Sequence, residues 1–323
     1  MLDRRTLLFG LSVWFVGAAC AVAQPYPSRL VRIIVPFPPG GGIDVFVRAI
    51  AQQLSAKWLQ SVVVENRAGA GGVIGTEAVA RAVPDGLTLL ATTNPPITSD
   101  RFFYLSLPYD PDALVPVMLM VQSDQLILAN SMVPANDLRE LVSLVHREPG
   151  KWTYGSFGRG TQPQLLFETL NKHENLDILH IPYSGIAPLL SGLVAGDVRL
   201  ASGTAGVAAE LIRTGKLKAL AIAGKRRSSQ FPSVPTTAEL GFPYVEASIW
   251  YGLFAPPGTA APIVNQISED IREILGRPGF AQVQVRAKGF DEVAGSPDEF
   301  TAALRSETDS VARIVGEAGI GVQ

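Results

Sequence analysis

The apolar positions of this chain follow two alternating periods. Leu30 to Phe37, Ser61 to Glu65 and Leu87 to Thr92 are short β-branched or aliphatic runs and read as strands covered on both faces. Between the first two, Phe46, Val47, Ile50, Ala51, Leu54 and Trp58 recur at helical spacing over Asp44 to Trp58. A second helix is predicted from Ile74 to Ala82, and Pro84-Asp85-Gly86 is a turn. Strand and helix alternating in this order give a parallel, doubly wound sheet.

A second series starts near residue 125. It comprises a strand from Gln125 to Ala129 and a helix carrying Leu138, Leu141, Val142 and Val145, capped by Asn136 and stopped at Pro149-Gly150. Next come a strand from Trp152 to Ser156, a helix opening at Thr161-Gln162-Pro163, a strand from Leu179 to Pro182, and a helix from Ser184 to Gly196. Val198 to Ala201 and Leu217 to Ala223 are further strands. The chain returns through Phe231 to Pro235 and the strand Trp250 to Ala255. Ser296-Pro297-Asp298-Glu299 is a capping box with proline at the first helical position, opening a helix to about Glu317. The expected organisation is two α/β domains, 24–124 plus 236–323 and 125–235. Two crossings, near Val121 to Gln125 and near Lys225 to Pro235, form the hinge of a cleft.

Residues 1–23 read as a secretion signal: Arg4 and Arg5, an apolar run from Leu7 to Val16, and an A-x-A site at Ala21-Val22-Ala23. The run is short for a membrane span. Arg4-Arg5 also fits twin-arginine export, and Cys20 fits a lipidated cysteine less well than cleavage after Ala23. Cys20 is the only cysteine, so the mature chain has no disulfide, thiol nucleophile or cysteine-held metal. The net charge is −2, and removing Asp3, Arg4 and Arg5 (together +1) leaves −3. With no basic stripe, nucleic acid is not an expected partner.

Candidate chemistry lies in glycine-rich turns between strands and helices. Pro38 to Asp44 places Gly40, Gly41 and Gly42 at a helix start, and Gly69, Gly71, Gly72 and Gly75 follow the next strand. Bare amides at a helix N-terminus carry partial positive charge and suit a carboxylate or phosphate. Phe37, Pro39, Gly40, Gly41, Asp44 and Gly71 are the candidate contacts on this side. Asp44 would repel a carboxylate, so ordering of waters or loop amides is its expected part. The Gly69 to Gly75 spacing misses the dinucleotide fingerprint by one residue, and no acid ends the next strand. Ser156, Arg159, Gly160 and Thr161 form the matching junction in the second domain, joined by Tyr183, Gly203 and Thr204. Thr161 fits both an N-cap and a ligand contact, and Arg159 fits both a cleft cation and a solvated side chain. The three histidines, His146, His173 and His180, show no metal-ligand spacing, so neither metal nor cofactor is expected. There is no G-x-S-x-G elbow, and no histidine is evidently paired with Ser156.

Taken in order, the motifs resemble the substrate-binding receptors of tripartite tricarboxylate transporters, the Bug proteins. The series is Val35-Pro-Phe-Pro-Pro-Gly-Gly with Asp44, Val63-Val-Glu-Asn-Arg-Ala-Gly-Ala-Gly-Gly, Pro84-Asp-Gly, Leu107-Pro-Tyr-Asp-Pro, Ser156 with Gly158-x-Gly160-Thr161, His180-Ile-Pro-Tyr-Ser-Gly, Pro235-Thr with Glu239-x-Gly241, and Trp250-Tyr-Gly with Pro256-Pro-Gly. The resemblance implies a type II periplasmic binding fold closing like a flytrap on a small organic carboxylate. It also implies a monomeric, non-enzymatic periplasmic receptor that delivers to a permease with a large and a small subunit. A secreted hydrolase-like enzyme and a sensor subunit are the alternative functions. Three positions depart from the pattern: Gln164 stands where a histidine is usual, Gly203 where an acid is frequent, and Asp100-Arg101 in place of Asn-Pro.

Overall fold

A computed structural model describes residues 26–322. The expected signal, with Arg4, Arg5 and Cys20, lies outside the described residues. The first βαβαβ series is present: β1 (Val31–Val35), α1 (Gly42–Trp58), β2 (Val62–Asn66), α2 (Val73–Ala80) and β3 (Thr88–Thr92). Then β4 (Val115–Asn130) runs for 16 residues without a break. The second series is α3 (Leu138–Arg147), β5 (Trp152–Ser156), α4 (Gln162–Glu174), β6 (Ile178–Pro182), α5 (Ile186–Ala195), β7 (Leu200–Thr204), α6 (Ala205–Arg213) and β8 (Leu217–Ile222). The chain closes with β9 (Ser248–Ala255), α7 (Ala261–Leu275), the two-residue β10 (Asp291–Glu292) and a C-terminal helix, Pro297–Ala318.

These strands form one continuous sheet in the order β2-β1-β3-β9-β4-β7-β5-β6, with β8 and β10 also on β4. The outer strands of each lobe pair in parallel, β1 with β2 and β3, and β5 with β6 and β7. Pairings at the centre are antiparallel, because the chain climbs on β4 and returns on β9. Val115 to Asp124 of β4 pair with β9, while Gln125 to Asn130 pair with β7 and β8. One strand therefore belongs to both lobes, and its Asp124–Gln125 step is the first crossing.

Each lobe has a core on both faces of its sheet. In the first, Ile33, Phe46, Ile50, Val121 and Ile271 pack under α1 and α7, and Ile34, Leu90, Trp250 and Phe300 under the C-terminal helix. In the second, Trp152, Tyr154 and Phe167 fill one face and Leu128, Leu189 and Leu193 the other. The second crossing differs from expectation. After β8 the chain turns back, with the Thr237 amide donating to the Ile222 carbonyl, and buries Leu240, Phe242, Val245 and Ala247 in the second core. Residues 236–247 thus pack with the second lobe, and the return lies at Ala247–Ser248. There the Gln125 amide donates to Ala247 and the Ala247 amide to Ala223, which holds the two crossings side by side.

Two helix starts also differ. Asp137, not Asn136, caps α3 by accepting the Glu140 amide at 2.9 Å. Gly185, not Ser184, precedes α5, and no side chain caps that helix. The capping box at Ser296 and Glu299 forms as its sequence predicts.

Candidate ligand-binding site

The loop after β1 turns at Gly40, whose φ is +82°, and delivers Gly41 and Gly42 exposed at the start of α1. Asp44 explains the loop's shape. Its Oδ2 accepts the Gly40 amide at 2.8 Å and Arg48 Nε at 3.1 Å; its Oδ1 accepts Asn66 Nδ2 at 2.9 Å and Arg48 Nη2 at 3.0 Å. Burial alone would raise this carboxyl, but the hydrogen bonds from Arg48, Gly40 and Asn66 outweigh it and hold it below the usual range. Both oxygens are occupied and the residue is 2 % exposed, so Asp44 shapes the loop and has no free oxygen for a ligand. Asn66 also donates to the Phe37 carbonyl, joining the loops after β1 and β2.

A Cβ at Gly42 would lie 2.5 Å from the hydroxyl oxygen of Tyr251, so only glycine fits where this ring reaches the first turn of α1. Tyr251 packs between Phe46 and Phe290, its ring tilted against both. The resemblance includes Trp250-Tyr-Gly, but Tyr251 is not among the candidate contacts because the segment reads as an apolar strand. The usable signal was a tyrosine directly after a core tryptophan in the middle of an otherwise apolar strand. In the second loop Gly71 is exposed, and Tyr104 donates its hydroxyl to the Ala70 carbonyl at 3.3 Å. Phe37 packs beside Gly72, and Pro39 is exposed.

In the second lobe the hydroxyl of Ser156 faces inward. It donates to the Gly158 carbonyl at 2.9 Å, receives the Gly158 amide at 3.2 Å, and lies 2.7 Å from His180 Nε2. His180 Nδ1 lies 3.5 Å from Gln164 Nε2. Among the described residues no carboxylate backs the ring, Nδ1 faces an amide, and Ser156 is fully buried. The pair, which the sequence left unmatched, is a brace and not a nucleophile with its base. Burial first and the Arg159 charge second lower the His180 pKa, in keeping with a neutral ring.

The same brace takes up Gly160. Its amide donates to Gln164 Oε1 at 2.8 Å, and its α-carbon lies against Phe103 of the first lobe. Gln164, at the position where the resemblance expects histidine, thus ties loop to helix. Thr161 spends its hydroxyl on the Gly158 carbonyl at 2.6 Å and does not cap α4. Gly203 is buried within β7, and Tyr183 folds over Gly155 and Gly192. Ser156 and Gly160 are therefore buried with their polar atoms paired inside the second lobe, and Tyr183 is half-buried. Arg159 is exposed, and Thr204 stands half-buried before α6.

The lobes touch at both ends of the gap between these loops. Phe103 meets Gly160 at one end, and at the other Gly206, at the start of α6, meets the Lys288 carbonyl. A hollow of about 550 Å³ lies at the two crossings named from sequence, with Asp124, Arg226, Arg286 and Asp291 in its wall and Ala205, next to Thr204, at its edge.

The family model for the tripartite tricarboxylate transporter family receptor matches residues 46–320. The chain belongs to this family. It is 36 % identical to the protein BugT of Bordetella pertussis over 98 % of both chains. A Rhodopseudomonas palustris protein solved with adipate superposes with a TM-score of 0.83 at 29 % identity, over 92 % of this chain and all of that one. MatC of the same organism, solved with malate, gives 0.77 at 30 % over 90 % of this chain and all of that one. Solved periplasmic binding proteins share the fold, and the receptors of this family are solute-binding proteins, not enzymes.

Proposed function

We propose that the chain is the periplasmic receptor of a tripartite tricarboxylate-type transporter and captures a small dicarboxylate between its lobes. The observation that carries this reading is the opening of α1. Gly41 and Gly42 are exposed there, Asp44 has fixed the turn, and the Tyr251 hydroxyl stands beside them. Unpaired amides and the helix dipole stabilise a carboxylate at that point. Family membership and relatives holding adipate or malate support the ligand class. Across the gap, Arg159 and Thr204 are the contacts proposed for the far end of the ligand.

A ligand that bridges both lobes supplies free energy only to the closed form and so shifts the population toward it. The receptor works as a monomer, and its closed form is what the large and small permease subunits recognise. The test is a thermal-shift panel with adipate, malate, a neutral sugar and divalent metal ions. A dicarboxylate at 100 times its Kd adds about 2.7 kcal/mol, or roughly 2–4 °C per kcal/mol for a chain of this size. Stabilisation by the sugar or the metal ions alone overturns the reading.

A further inference from the structure

The C-terminal helix carries an acid on its inward stripe. Phe300, Leu304, Glu307 and Val311 follow the spacing of one helical face; Phe300 and Val311 are buried, and Leu304 packs on the same core. Glu307 interrupts that apolar row, and every neighbour of its carboxylate is a donor. Oε1 accepts Asn94 Nδ2 at 2.6 Å, Thr98 Oγ1 at 3.2 Å and Gln162 Nε2 at 3.3 Å, while Oε2 accepts Trp250 Nε1 at 2.7 Å. Burial raises this carboxyl above its ordinary range, and the donors make the ionised form tolerable.

The donors divide by lobe. Asn94, Thr98 and Trp250 stand at the end of β3, in the turn that follows it, and on β9, all in the first lobe. Gln162 is the first residue of α4 in the second lobe, one residue past Thr161 and two past Gly160. Three bonds therefore fix Glu307 within one lobe, and the fourth crosses to the helix start beneath the Gly158–Thr161 loop.

We propose that Glu307 is a positioning residue for ligand capture: its bond to Gln162 latches the opening turn of α4 onto the first lobe in the closed form and sets affinity without touching the ligand. This rests on the receptor reading above. The C-terminal helix also runs along α4, with Ser310, Arg313 and Ile314 facing Thr169 and His173 across one hollow, so the bond reports how closely the start of α4 is drawn to that helix. An uncrossed carboxylate would remain satisfied by its three first-lobe donors, so opening leaves no orphaned charge. That lets the contact be made and broken reversibly.

The mature chain has no cysteine, so Val83→Cys in the first lobe and Met132→Cys in the second, at exposed positions, can carry spin labels. Distances are measured without ligand in the parent, in Gln162→Ala, in Glu307→Gln and in their combination. Gln162→Ala removes only the crossing bond. Glu307→Gln must set an amide N–H against one of the donors. The short-distance, closed part of the ligand-free distribution is expected to be lost in Gln162→Ala and diminished in Glu307→Gln, and the combination to remove no more of it than Gln162→Ala alone, since only the Gln162 bond crosses. With adipate as probe, Gln162→Ala is expected to weaken binding roughly tenfold, the low end for a hydrogen bond to a charged acceptor. Distance distributions unchanged in both single variants, with only the melting temperature lowered, overturn the latch. Failure of the parent to bind adipate or malate would instead count against the ligand class, because the distance measurement needs no ligand.

Discussion

Asn66 Nδ2 lies 2.9 Å from Asp44 Oδ1, and this bond joins the turn after β2 to the turn after β1. Asp44 gathers four donor contacts from three residues at the mouth of α1. Asp44→Ala is expected to cost about 1.5–3 kcal/mol, the range for hydrogen bonds to a charged group. The folded-state pKa is depressed, so this stability is present above the unfolded value near 4 and is lost as pH falls through the folded one. Chemical denaturation of parent and variant should therefore differ at pH 7, and the difference should shrink as the pH falls below about 4.

Asp100 shows the opposite sign. It is 4 % exposed, no described donor reaches its Oδ2, and burial pushes its carboxyl up to about 7. The folded state then holds a proton that the unfolded chain has released, so stability falls as pH rises from about 4 to about 7. Asp100→Asn removes the ionisation. It is expected to stabilise the protein at pH 8 by up to about 4 kcal/mol and to leave it nearly unchanged at pH 4. A melting-temperature profile parallel to the parent from pH 4 to pH 8 would falsify this.

A methyl group at Gly206 would stand 2.1 Å from the Lys288 carbonyl oxygen, a backbone atom of the other lobe. Gly206 is exposed near the start of α6, where alanine is otherwise well tolerated. Gly206→Ala is expected to leave the melting temperature of the ligand-free protein within a few degrees of the parent while it weakens ligand binding at least tenfold. Calorimetry with adipate gives the affinity, and small-angle scattering should show a larger radius of gyration. Unaltered affinity would mean that the two lobes do not meet here when ligand binds.

Arg159 is flanked by Gly158 at φ +139° and Gly160 at φ +71°, and its side chain is exposed. As the contact for the far carboxylate of a dicarboxylate, Arg159→Ala is expected to weaken binding about 10- to 150-fold. The same variant should bind a monocarboxylate of equal length as the parent does. Equal losses for both ligands would place the arginine's effect in the loop and not on the second carboxylate.

The sequence by itself determined most of the elements, because hydrophobic period and helix signals are local, but α6, α7 and the Val115–Asp124 half of β4 were not read from it. The strands from β1 to β3, the capping box at Ser296 and the glycine turn at Gly40 to Gly42 all follow from neighbours within a few residues. It also determined the family, since an ordered series of turns survives as spacing. What the tertiary structure decided is which groups remain free. Asp44, Ser156 and Gly160 lie in site-like motifs, yet Arg48 with Asn66, His180, and Gln164 consume their donors and acceptors, and of these partners only Gln164 and Arg48 are four residues away. The return crossing at Ala247 was hidden for the same reason: Leu240 to Ala247 have no period of their own and are held by the second core. Glu307 and Tyr251 acquire their surroundings from residues 57 to 213 and 39 to 209 positions away, and pairing at that range is set by how the sheet folds the chain back, which no local pattern records.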